Sequence, residues 1–412
     1  MRQLILLFAL ALPASASSQT PARAAVGQSL PHWTPGTLDI HQISTGRGNS
    51  ALVVFPDGTS LLVDAGATAS GVAAESDPHP DSTRSPGEWI ARYVKRHLPD
   101  SAAGLDYAIL THLHVDHIGH PTPTSPMDPS GAYRMSGITE VGTRMRIGTV
   151  IDRGWPSYDY PAPLQDEVVA NYRAFLAAKS SQGMRVERFR PGAADQIRML
   201  RDAARYPGVY VRNIAGNGEV WKGQGTATTS IFPPIASLNQ ADWPTENMCS
   251  LAIRISYGAF SWFTGGDLQG MADPGYPAWH SVEAPIARAA GPTDVHVVNH
   301  HGSPGAATDT FLQQLASTVI VIPSWAASHP GPDVLKRIVN NRFPPARRFV
   351  FATDMRPSAR TVIGARANAL AGPPGHVIVR VEPGGDRYWV IVTSNADERD
   401  TVLAVQGPLD AR

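Results

Sequence analysis

One cysteine, Cys249, is all that this 412-residue chain contains. A lone thiol excludes an intramolecular disulfide framework and any cluster of thiolates, so a metal held here would need histidine and carboxylate donors. Excess charge is missing as well, because 35 lysines and arginines balance 35 aspartates and glutamates. No global field draws in nucleic acid or an anionic surface, and stable nucleic-acid binding is not expected. Apolar runs long enough to span a bilayer are also lacking. The stretch from Leu4 to Leu12 in "MRQLILLFALALPASASSQT" is short, follows a basic start and precedes Ala14-Ser15-Ala16. That order of features predicts a signal peptide over 1–16, export to the periplasm or outside the cell, a flexible segment over 17–35 and no membrane anchor.

What is present is an ordinary globular composition, 42% hydrophobic and 17% charged, arranged as short strands alternating with helices. "SALVVFPDGTSLLVDAG" is two apolar runs around Pro56-Asp57-Gly58 and predicts a hairpin. A helix is expected at about 86–98, with Ser85 as its cap and Trp89, Ile90, Tyr93 and Val94 on one face. "LDYAILT" reads as a buried strand, and residues 118–146, rich in Pro, Gly, Ser and Met, read as a long loop. A helix at about 163–179 falls within an insertion expected at about 153–246. Its aromatics Trp155, Tyr158 and Tyr160 either wall a pocket or pack that insertion. "SLAIRISYGAFSWFTGGDLQG" is a second hairpin, followed by αβ units and antiparallel strands from about 375. The pattern predicts one layered α/β domain over 36–395 and a C-terminal tail over 396–412.

Fourteen histidines serve the whole chain, yet four of them crowd into "THLHVDHIGH" at residues 111–120, directly after a predicted buried strand. Tetrahedral sites for ions such as zinc accept imidazole and carboxylate donors about 2.0 to 2.2 Å away. Residues i and i+2 of an extended segment point the same way, so His112 and His114 can bind one ion. Asp116 and His117 come after the chain turns and can serve a second. The remaining donors should lie at other strand ends, where loops converge. Three such ends carry them: Asp64 in "LLVDAG", Asp267 in "FTGGDL", and His300 with His301 in "VVNHHGS".

With "VDAG", "THLHVDH", "TGGDL" and "NHHGS" the chain resembles the metallo-β-lactamase-fold hydrolases over most of residues 36–395. It is most similar to the branch containing the soluble hydrolase domain of the competence protein ComEC and the secreted phosphorylcholine esterases. Supporting residues include "ENMCSLAIRISYGAFSWFTGGDL" and the late "SHPGPDVLKRI". The resemblance implies a four-layer αββα sandwich with two metals at one edge of the sheets. It implies that His112 and His114 hold the first ion, Asp116 and His117 the second, and that Asp267 bridges them. His301, which directly precedes a glycine, would complete the second site, and His300 would face substrate or act as an acid. Asp64 would buttress the site by hydrogen bonding.

Many relatives place a third first-site histidine between the early cluster and the bridging aspartate, whereas here no histidine occurs from 121 to 279. The first ion would then be completed by water or by Asn247 of "TENMCS", and β-lactam hydrolysis is not expected. His120 and His329 are read more simply as loop and helix-entry residues. The expected activity is that of an exported hydrolase with two divalent ions, zinc, manganese or iron. A metal-bound hydroxide would attack a phosphodiester or similar ester, with Asp116 orienting the nucleophile or taking its proton. A lactonase or other carbonyl hydrolase, or a non-catalytic metal-containing binding module, are the alternatives.

Overall fold

The computed structural model describes residues 23–69, 74–340 and 343–412, so the signal peptide expected over 1–16 lies outside the described residues. Strands β1 (Leu38–Gln42), β2 (Ala51–Val54), β3 (Ser60–Val63), β4 (Gly104–Ile109), β5 (Arg146–Asp152) and β6 (Arg185–Arg188) begin the first sheet. A second sheet takes β7 (Val209–Gly216), β8 (Glu219–Trp221), β9 (Thr228–Ser230), β10 (Ala252–Tyr257), β11 (Phe260–Thr264), β12 (Val295–Val297), β13 (Val319–Ile322) and β14 (Phe349–Ala352). The chain then returns to the first sheet with β15 (His376–Val381), β16 (Arg387–Thr393) and β17 (Val402–Asp410), beside β1. The sheet orders are β17-β16-β15-β1-β2-β3-β4-β5-β6 and β14-β13-β12-β11-β10-β7-β8-β9.

Away from their edge strands both sheets are buried on both faces, which is why the central strands are apolar nearly throughout rather than alternating. Leu61 and Val63 point into the core between the sheets while Leu62 points outward to the helices. Helices α1 (Pro86–His97), α2 (Val115–Ile118), α3 (Gly137–Arg144) and α4 (Glu167–Ser180) belong to the first half of the chain. Of these, α1, α3 and α4 cover the outer face of the first sheet. The outer face of the second is covered by α5 (Glu283–Ala290), α6 (Asp309–Leu315), α7 (Pro332–Val339) and α8 (Pro357–Ile363). The result is the expected four-layer αββα sandwich. Among the described residues no helix is long and apolar enough to cross a membrane.

Several expectations need correction. Residues 118–146 are not all loop: α3 forms within them because Thr139 Oγ1 accepts from the Ser136 backbone N–H (2.9 Å) and Ile138 and Val141 are fully buried. Residues 153–246 are no appended insertion, since α4 and β6 to β9 are drawn from them into both halves of the sandwich. The 396–412 tail supplies β17, which pairs antiparallel with β16. Within the segment 17–35, residues 27–30 are tied down by backbone hydrogen bonds to Asp400 and Val402, and Leu30 is buried against Ile378, Ile391 and Val402.

Candidate metal centre

β3 and β4 run parallel, as do β11 and β12, and the chemistry-bearing residues lie just past the carboxyl ends of these four strands. Asp64 follows β3 with φ of 59°, a left-handed conformation that turns its carboxylate inward. There it accepts from Thr111 N–H (2.7 Å), Thr111 Oγ1 (2.8 Å) and Asn49 Nδ2 (2.9 Å), and lies 2.7 Å from His117 Nδ1. This partner fixes the proton on Nδ1 and leaves Nε2 of His117 to face the site. His114 caps α2, the short helix that carries Asp116 and His117. The carbonyl of Asp116 is gripped from outside: it accepts from Asn49 N–H (2.8 Å), and Cβ atoms at Gly48 or Gly66 would fall 2.4 and 1.8 Å from it. Only glycine allows both loops to approach that closely.

Asp267, three residues past the end of β11, sits at the middle. Its Oδ1 is 3.1 Å from His117 Nε2 and 3.4 Å from His301 Nε2, while Asp116 Oδ2 is 3.0 Å from His301 Nε2. One donor atom from each of Asp116, His117, Asp267 and His301 lies within 4.8 Å of all the others. His301 Nδ1 donates to the carbonyl of Pro323 (3.1 Å), so its Nε2 also points inward. The other oxygen, Asp267 Oδ2, faces a second group, 3.9 Å from both His112 Nε2 and His300 Nε2. His112 Nε2 is in turn 3.1 Å from His114 Nδ1.

The cluster concentrates opposite charges away from water. Burial alone would lower His117 and His301. The carboxylates of Asp267, Asp64 and Asp116 nevertheless hold His117 well above its usual range, and Asp267 and Asp116 lift His301 to about 9. Burial would raise Asp116 and Asp267, yet the neighbouring imidazoles keep both ionised far below the usual carboxylate range. His112, by contrast, is driven well below its ordinary value by burial and by His117, which leaves a neutral imidazole. Asp267 Oδ1 is buried and, although His117 and His301 nitrogens lie 3.1 and 3.4 Å away, none of them is aligned for a hydrogen bond to it. An orphaned carboxylate oxygen ringed by imidazole nitrogens and a second carboxylate fits a divalent ion, and His/Asp donor sets suit several of them.

Residues 44–120 match the metallo-beta-lactamase superfamily. The matched span ends on the histidine cluster and includes Asp64, His112, His114, Asp116 and His117; Asp267, His300 and His301 lie outside it and join the site through the geometry above. A crystal structure of a protein of unknown function from Enterococcus faecalis V583 is similar over 82% of this chain and 64% of its own, at 11% identity and a TM-score of 0.32. This chain therefore spans less than two thirds of that protein. Human tRNase Z, short form, is similar over 68% of this chain and 91% of its own, also at 11% identity and a TM-score of 0.32. No curated protein matches.

The part of the site nearest His112 and His114 holds residues that sequence reasoning missed. Glu246 Oε1 accepts from the N–H of Leu113, the residue between His112 and His114 (2.8 Å), and its carboxylate is forked onto Arg153. The Arg153 side chain is 1% exposed. It also donates to Tyr160 O and Asn217 Oδ1, at 3.0 and 3.1 Å. The only signal for this brace was that Arg153, like Asp64 and Asp267, follows a strand end. Trp325 and His329 enclose His301: the His329 ring stacks on it at 5.1 Å and Trp325 meets it edge-on at 5.4 Å. His120 stands apart, lining a neighbouring cleft with Arg47 and Thr68. Tyr158 is a packing residue, fully buried with its hydroxyl donating to Asp152 (2.6 Å).

Proposed function

We propose that this chain is an exported hydrolase that uses two divalent ions to cleave a phosphodiester or similar ester bond. The observation carrying this reading is the orientation of Asp267, whose two oxygens face two different groups of imidazoles. Ions bound on either side of such a carboxylate would acidify a water and neutralise charge developing at the scissile centre. The chain's own contribution is placement. Asp64 and the Pro323 carbonyl fix which nitrogens of His117 and His301 face inward. Asp116, partly exposed at the rim, would orient the attacking water or take its proton. A phosphorus centre is favoured over a carbonyl because paired ions suit an in-line displacement, clamping the entering and leaving oxygens together. Zinc, manganese and iron all suit the donors. Export is proposed from the leader-like N-terminal sequence.

The test is turnover of bis-p-nitrophenyl phosphate, a homoserine lactone and nitrocefin by the purified protein, with and without chelator. Chelator-sensitive cleavage of the phosphodiester is expected to exceed that of the other two. Preference for the lactone would move the substrate class to carbonyl esters, and absence of metal-dependent turnover on all three overturns the reading.

A further inference from the structure

The first ion has a deficit. With no histidine from 121 to 279, His112 and His114 are joined only by the shared Asp267, and a tetrahedral site wants a further donor. We infer that His300 supplies it: the His300-His301 pair gives one imidazole to each ion.

Three independent features of the structure converge on this assignment, which rests on the two-ion reading above. The first is the split of Asp267 itself. Oδ1 lies beside His117 and His301, and Oδ2 is equidistant, at 3.9 Å, from His112 Nε2 and His300 Nε2. The second is the backbone. His300 (φ 50°, ψ 41°), His301 (φ 53°, ψ 12°) and Gly302 (φ 77°) form a left-handed turn, a conformation uncommon for non-glycine residues and rarer still for two in succession. It is pinned by the His300 N–H donating to Gly266 O (3.0 Å), next to Asp267. In extended backbone, adjacent side chains would point to opposite sides. The turn instead brings both rings to one carboxylate, with centroids 6.4 Å apart and planes at 62°. The third is the neighbour of the nitrogen. Asn247, the residue the sequence places at the first ion, brings Nδ2 to 3.4 Å from His300 Nε2, so this nitrogen lies with the residues expected around that ion. Asn247 Oδ1 beside it is buried without a partner.

This assignment replaces the acid role expected of His300, and the two are separable by measuring metal directly. The experiment equilibrates the full chain with buffered free zinc, counts bound equivalents by elemental analysis, and repeats the titration with cobalt(II), whose visible absorption reports ligand number. Variants are His300→Asn, chosen because asparagine tolerates left-handed backbone, and His300→Gly, whose backbone is at ease there and which leaves room for added imidazole. Loss of an outer partner of a metal ligand costs roughly 10- to 100-fold in affinity, so loss of a ligand should exceed about 100-fold. The expected result is two equivalents in the wild type and one tight equivalent in both variants. Added imidazole should restore the second equivalent and the cobalt absorption in His300→Gly. Two equivalents with unchanged affinity in the variants overturn the assignment, whether or not turnover falls. Weakened binding that imidazole fails to restore also overturns it, since that marks a structural role. Fewer than two equivalents in the wild type removes the two-ion reading, and this assignment with it.

Discussion

At the scale of single residues, the site depends on groups that would touch no ion. Asp64 holds His117 by its Nδ1 while also receiving Thr111 and Asn49. Replacing it with asparagine should leave the fold intact and weaken the ion shared by His117, Asp267 and His301 by roughly 10- to 100-fold, measured by competition with a chromogenic chelator. Glu246 should behave differently. Glu246→Ala strands the buried guanidinium of Arg153 and releases the peptide between His112 and His114. The expected loss is about 3–5 kcal/mol of unfolding free energy by guanidinium titration, with Glu246→Gln milder because an acceptor remains. The donors themselves were legible in the sequence because histidines and aspartates at strand ends are unusual and their spacing is local. Glu246 and Arg153 were not legible, since an ion pair separated by 93 residues leaves no periodic trace.

Elements were legible wherever apolar periodicity was strong, as in α1, in the β2–β3 and β10–β11 hairpins and in the strands entering the site. They were missed where composition misled. Gly137 and the Pro- and Met-rich flanks disguised α3, although its Ser136-to-Thr139 capping contact was present in the sequence. The last strand, β17, was read as tail because its alternation is weak: only Val402 is fully buried, and the rest is half-exposed or exposed. Its role is at the edge of the nine-stranded sheet, and the turn before it is bound to α1 through Arg92 and Arg96 with Glu398 and Asp400. Deleting residues 397–412 should therefore uncover β16 along its whole length. The expected outcome is a lowered melting temperature together with concentration-dependent aggregation, seen by light scattering during a thermal ramp.

For the whole molecule, the balance of buried histidines sets how stability follows pH. Burial pulls His97 down to about 4 and His296 and His376 to about 3. The unfolded chain takes up these protons near 6.5 while the folded chain refuses them, so stability falls as pH drops from 6.5 towards 4. His301 acts in the opposite direction. Burial opposes its proton, but Asp267 and Asp116 raise it to about 9, so its contribution is complete below 6.5 and lost as pH rises through 9. Urea midpoints of the metal-free protein should therefore peak near pH 6.5. Adding zinc should abolish the alkaline decline, because the ion takes the place of that proton.

The close packing of Gly48 and Gly66 on the Asp116 carbonyl bears on how this site could change over evolutionary time. In a library covering every substitution, positions 48 and 66 should be as depleted of tolerated variants as the histidines themselves. A selection for altered metal preference would then find its freedom at Asn247 and the exposed rim rather than beneath α2, where a single added methyl group has nowhere to go.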